Sequence, residues 1–191
     1  LDIQSPMYLV QRVAASTGNA PSERFATEYF YENLRGRTSG RGLYGFAKVR
    51  SRDGVGIVTE TEFTRPAGGV DTYASRWAEV GRASVVRKYA PTAAGYSADI
   101  TDFAAFNVAA TLFGGNLRLV NRSQNTWESR ISQTCNGANC TPVASTPPHP
   151  SVYQAHLTQS VEESFELDGS ALATTTTSMP LGSVNAYGNP T

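Results

Sequence analysis

The chain has 191 residues, enough for one well-buried core, and 17% of them are charged where a globular domain usually carries ~25%. Sixteen basic and sixteen acidic residues give a formal net charge of zero, so no global field steers the molecule toward nucleic acid or anionic lipid. No apolar run approaches the ~20 residues that span a bilayer, and Ser, Thr, Asn and Gly supply much of the surface, as in secreted β proteins.

Residues 1–13 alternate, with Ile3, Met7, Leu9 and Val13 on one parity and Tyr8, Val10 and Arg12 on the other. This fits an extended N-terminal strand, and over so few residues a short helix across 7–15 fits almost as well. The opening residue is Leu1, which agrees with removal of a secretion leader. Pro21-Ser22-Glu23 reads as a helix start leading into residues 24–34, with Gly36 as the stop.

From Gly42 onward the pattern is β. Residues 43–49 and 55–64 flank Ser51-Arg52-Asp53-Gly54, and Asp-Gly is a strong hairpin signal. In the second strand Ile57, Thr59, Thr61 and Phe63 share one face and Val58, Glu60 and Glu62 the other, as in a sheet with one solvated side. After the Pro66–Gly69 loop, residues 70–80 and 83–89 form either a second strand pair around Gly81-Arg82 or, in the first half, a helix carrying Tyr73, Trp77 and Val80. Residues 101–113 have a helix cap, 3-4-3 apolar spacing and a Gly114-Gly115 stop, with helix and strand both open.

Residues 117–120, 126–133, 152–159, 161–167 and 171–177 read as strands, separated by turn residues at 121–125, the cysteine loop and Asp168-Gly169. The tail 174–191 is polar and short of apolar anchors. The expected architecture is a single mainly β domain, a β-sandwich or barrel-like antiparallel arrangement with one or two short helices, an N-terminal extension at 1–13 and the polar tail at 174–191.

Among residues able to carry chemistry, Cys135 and Cys140 are the only cysteines. Joined as a disulfide they close a small loop, contribute about 2 kcal/mol in the chain-entropy description, and point to an oxidising, extracellular compartment. A metal half-site lacks a second Cys/His pair, and a redox motif normally has two intervening residues. His149 and His156 lie on opposite faces of any continuous strand, which disfavours a shared metal. Gly40-Arg41-Gly42-Leu43-Tyr44-Gly45 matches G-x-G-x-x-G, but a hairpin strand follows it where dinucleotide binding needs a helix. No cofactor or metal is expected.

Arg35, Arg37, Arg41, Lys48, Arg50 and Arg52 fall in a stretch without an acidic residue, interleaved with Tyr44 and Phe46. That composition suits an anion-binding face for a sulfated or uronic glycan, with nucleic acid less favoured. The competing reading is a face neutralised by Glu23, Glu28, Glu32, Glu60 and Glu62. Asn121 and Asn139 open N-glycosylation sequons, both expected in loops.

The leading functional expectation is a non-enzymatic structural subunit of an extracellular or cell-surface assembly, such as a filament or coat, self-associating by N-terminal strand addition. A secreted module binding anionic glycan or nucleic acid through the Arg-rich face is the alternative. A secreted hydrolase with dispersed catalytic residues comes third, since no nucleophile elbow is present.

Overall fold

A computed structural model describes residues 8–16, 18, 24–37, 42–64, 79–93, 110–111, 116–131, 133–136, 139–142 and 153–179. Thirteen strands run through them: β1 (Arg12–Ser16), β2 (Arg24–Glu32), β3 (Arg35–Arg37), β4 (Gly42–Gly45), β5 (Lys48–Arg52), β6 (Val58–Phe63), β7 (Ala83–Pro91), β8 (Ala110–Thr111), β9 (Leu117–Ile131), β10 (Gln133–Asn136), β11 (Asn139–Pro142), β12 (Tyr153–Phe165) and β13 (Ala171–Ser178).

The main sheet has the order β1-β2-β5-β6-β7-β9-β12-β13, and every adjacent pair on that path is antiparallel. Space follows sequence along it, so the sheet is a meander. The short β8 adds to the start of β9 in parallel. The hairpins β3–β4 and β10–β11 are two-stranded sheets of their own, inserted between successive strands of the meander. The expected antiparallel β class is therefore the observed one.

The helix expected over 24–34 is instead β2. Its residues alternate strictly, Phe25, Thr27, Tyr29 and Tyr31 against Ala26, Glu28, Phe30 and Glu32, and aromatic and β-branched side chains suit a pleated surface. That period of two overrides the Pro-Ser-Glu cap signal. Asn33 then takes a left-handed φ of 54°, which turns the chain into the β3–β4 excursion. The chain rejoins the sheet at Ala47, whose N–H donates to the Glu32 and Asn33 carbonyls at 3.0 and 3.2 Å.

The hairpin around Asp53-Gly54 is present as β5–β6, with a longer connection than a two-residue turn. Arg52 pairs with Val58, leaving residues 53–57 as the loop. Asp53 Oδ1 accepts the N–H groups of Val55 (3.1 Å) and Ile57 (2.9 Å), and Gly56 supplies the positive φ of 89°.

Residues 121–125 are not a turn. They lie inside β9, paired to β7 on one side and β12 on the other. Polar side chains here bond across strands: Asn125 Nδ2 and the nearby Trp127 Nε1 both donate to the Ala83 carbonyl, at 3.1 and 2.8 Å, and Ser160 Oγ donates to Asn125 Oδ1 at 2.9 Å. Likewise the two strands expected at 152–159 and 161–167 are joined in a single strand, β12, over Tyr153–Phe165, bent by an irregularity between Leu157 and Gln159. The first part of the polar tail is β13, an edge strand.

The Asp168-Gly169 turn and the strand over 83–89 occur as expected. The alternatives at 70–78 and most of 101–113, with residues 1–7 and 180–191, lie outside the described residues. Among the described residues no helix is long and apolar enough to cross a membrane.

Among the described residues the buried apolar cluster is Val58, Tyr89, Leu117 and Leu119, with Phe30 and Phe165 packed against it. Beside it, on the same face of the sheet, Arg50 is 0% exposed and Glu60 is 3% exposed.

Candidate functional site

The antiparallel register builds a charged ladder across the middle of this face. One cross-strand row runs Phe30, Arg50, Glu60, Arg87, Arg122, Glu163. The next row carries Glu32, Lys48 and Glu62, and the row toward the β5–β6 turn carries Glu28 and Arg52. Because side chains alternate along a strand, residues two apart on β5 and β6 meet their opposite charges both directly and diagonally.

The contacts are short and shared. Arg50 Nε donates to Glu60 Oε2 at 2.8 Å, and its Nη2 lies 3.4 Å from Glu32 Oε2. Arg87 Nη1 reaches both Glu60 Oε1 (3.1 Å) and Glu62 Oε1 (2.5 Å). Lys48 Nζ sits 3.4 Å from Glu60 and 3.3 Å from Glu62. Arg52 pairs with Glu28, and Arg122 Nε with Glu163 at 2.5 Å. The Arg50 guanidinium also lies 5.9 Å from the Phe30 ring centroid.

Among the described residues five cations thus meet five carboxylates, and their formal charges cancel. Burial raises the Glu62 pKa, but the hydrogen bond and charge of Arg87, with Lys48, outweigh it and hold the carboxylate below its ordinary value. Burial lowers the Arg87 pKa, and Glu62 more than restores it. Arg122 holds Glu163 low by its hydrogen bond. Carboxylates held ionised in this way are poorly suited to donate a proton near neutral pH. Tyr89, at the apolar end, is pushed up to about 12 by burial, with the Glu60 charge adding to it.

Of the sequence-predicted anion-binding residues, Lys48, Arg50 and Arg52 come together on one strand, each facing a glutamate. The competing assignment to Glu28, Glu32, Glu60 and Glu62 describes their geometry. Arg35 and Arg37 lie on β3, off the main sheet, and Arg41 lies outside the described residues. The glycine run ends in β4, paired to β3, with Phe46 and then β5 after it.

Asn121 is not in a loop: it lies within β9, between β7 and β12, and its amide donates to Ser164 Oγ at 3.3 Å. Asn139 is the first residue of β11, and the backbone places Cys135 and Cys140 directly opposite each other in β10–β11. His156 faces Glu128 across β12–β9, while His149 is outside the described residues. Among the described residues no three His, Cys, Asp or Glu side chains are grouped to hold a metal ion.

Sequence reading missed Arg87, Arg122, Glu163 and Tyr89. The usable signal was cross-strand: like-spaced, opposite charges at Lys48/Arg50 and Glu60/Glu62 on one face of a hairpin call for a third charged strand beside them.

Two further features lie away from the ladder. On the opposite face of β2, the Tyr29 and Tyr31 rings stack at 6.5 Å, Phe46 lies 4.9 Å from Tyr31, and Tyr31 Oη donates to the Val10 carbonyl at 3.1 Å. The two edge strands of the meander, β1 and β13, are exposed along their whole length. No family model, curated protein or solved structure matches the chain.

Proposed function

We propose that the chain is a non-enzymatic structural subunit that assembles with copies of itself through the edges of its sheet, in an extracellular or cell-surface setting. The observation that carries this reading is the character of β13. It is eight residues long, Ala-Leu-Ala-Thr-Thr-Thr-Thr-Ser, exposed throughout, with no charge and no proline, and the one irregularity in its ladder falls on the side paired with β12, between Glu163 and Phe165. Edge strands normally carry charge, proline or a bulge to prevent pairing with another chain.

The opposite edge complements it. Tyr8, Leu9, Val10, Val13 and Phe25 are exposed at or beside β1, and Leu172 and Met179 at β13, so large exposed apolar side chains collect where a neighbour would dock. Eight strands joined by antiparallel pairings leave β1 and β13 running in opposite directions. A second copy in the same orientation therefore offers its β1 antiparallel to this β13, and the contact is head-to-tail, giving a ring or a filament.

The neutral ladder supports this reading over the anionic-glycan alternative, since Lys48, Arg50 and Arg52 already face carboxylates. The test is mass by light scattering. Wild type is expected at multiples of 20.5 kDa, and an Ala173→Lys/Thr175→Lys variant, with two cations on one face of β13, at the monomer mass. A wild-type monomer at all concentrations, or a variant that assembles unchanged, contradicts the proposal.

A further inference from the structure

The β10–β11 hairpin lies off the main sheet, leaving it just after Ile131 of β9, and the chain returns at Tyr153 of β12, which pairs with Ile131. Its register is Gln133↔Pro142, Thr134↔Thr141, Cys135↔Cys140 and Asn136↔Asn139. Two residues therefore separate the closing pair. In an antiparallel hairpin of that length the closing pair exchanges its backbone hydrogen bonds, and the next pair is the non-hydrogen-bonded kind, with Cα atoms ~4.5 Å apart. The next pair is Cys135 and Cys140. A disulfide needs Cα atoms roughly 4.4 to 6.8 Å apart, so the backbone satisfies the distance requirement without rearrangement.

From this placement we infer that Cys135 and Cys140 form a cross-strand disulfide that fixes the register of the hairpin. The inference does not depend on edge assembly. In sequence alone the pair only closes a small loop; the register adds that the two positions are direct partners on adjacent strands, so the bond clamps one strand to the other.

The chemistry is thiol–disulfide exchange with a small-molecule disulfide such as oxidised glutathione. One cysteine thiolate attacks the glutathione disulfide, breaking its S–S bond, forming a mixed disulfide and releasing one glutathione thiol. The second cysteine thiolate then attacks the protein sulfur of that mixed disulfide, forming the intrachain S–S bond and releasing the second glutathione. The two cysteines are oxidised, the glutathione disulfide is reduced, and the two cysteine protons end on the two glutathione thiols.

The experiment equilibrates the full reduced chain with oxidised glutathione, alkylates remaining thiols and measures intact mass, beside Cys135→Ser and Cys140→Ser variants. The expected wild-type product is lighter by two hydrogens, carries no alkyl group and no glutathione, and does so at any protein concentration. Each single-cysteine variant is expected to hold one glutathione adduct. Wild type that retains two alkylatable thiols, accumulates two adducts, or links only between chains overturns the inference. Because the wild-type mass decides the outcome alone, a variant that fails to fold leaves the test intact.

Discussion

The centre of the sheet and its β13 edge differ in where they keep their charge. Across β5, β6 and β7, where each strand has a partner on both sides, Arg50 and Glu60 are sealed from solvent and linked to Glu32, Lys48 and Arg87. β13, which pairs only with β12 among the described residues, carries no charge. In sheets guarded against association the arrangement runs the other way, with apolar residues inside and charge on the edge strand. The contrast separates two roles: the central charges fix which strands pair and in what register, and the uncharged edge is free to continue the sheet.

The largest effect is expected at the centre. Glu60→Ala leaves the buried Arg50 guanidinium without its 2.8 Å partner, and removal of one member of such a pair costs about 3 to 5 kcal/mol. Urea unfolding should report it as a lower midpoint. The double variant Arg50→Met/Glu60→Leu should recover most of that loss, because replacing both charges by packed apolar groups is often neutral or better. If the double variant is as unstable as the single, the pair contributes more than mutual neutralisation.

Next comes the apolar end of the same face. Leu117 is fully buried beside Val58, Tyr89 and Leu119, so Leu117→Ala should cost about 2 to 5 kcal/mol in the same assay.

The pH dependence is smaller and has two limbs. Glu62 and Glu163 are held below the ordinary 4.5, so the unfolded chain binds protons first as pH falls. Their contribution is complete above 4.5 and is lost progressively below it. Tyr89 is raised from 10.0 to about 12, so its contribution is complete below pH 10 and is lost between 10 and about 12. Thermal unfolding followed from pH 3 to 12 should show both limbs, and Tyr89→Phe should remove part of the alkaline one. The smallest effect on stability is expected at the edge, where Ala173→Lys/Thr175→Lys changes two exposed side chains and should stay within about 0.5 kcal/mol, while its effect on assembly is large.

How much of this was legible in the sequence depended on whether a signal was local. The β5–β6 hairpin was, because Asp53 and two glycines write the turn into consecutive residues. β2 was not, because a cap-like Pro-Ser-Glu competes with alternation that only matters once β1 and β5 lie on either side. The continuity of β9 was hidden for the same reason: Asn121, Ser123 and Asn125 resemble a turn until Ser160, Ser164 and the Ala83 carbonyl stand opposite them. The buried side of β6 was the hardest. Local hydrophobicity favours the face of Phe63 over that of Glu60 and Glu62, yet Glu60 is buried, since cross-strand arginines make burial of a carboxylate tolerable. Part of the ladder was legible as a list of compensating glutamates, but its membership needed the register of β7, β9 and β12.

The most direct test of the contrast between centre and edge is amide hydrogen exchange measured at low and high protein concentration. Protection in β13 and β1 should rise with concentration, while that of β5, β6 and β7 stays constant. Exchange from β13 that is equally fast at every concentration would contradict the account.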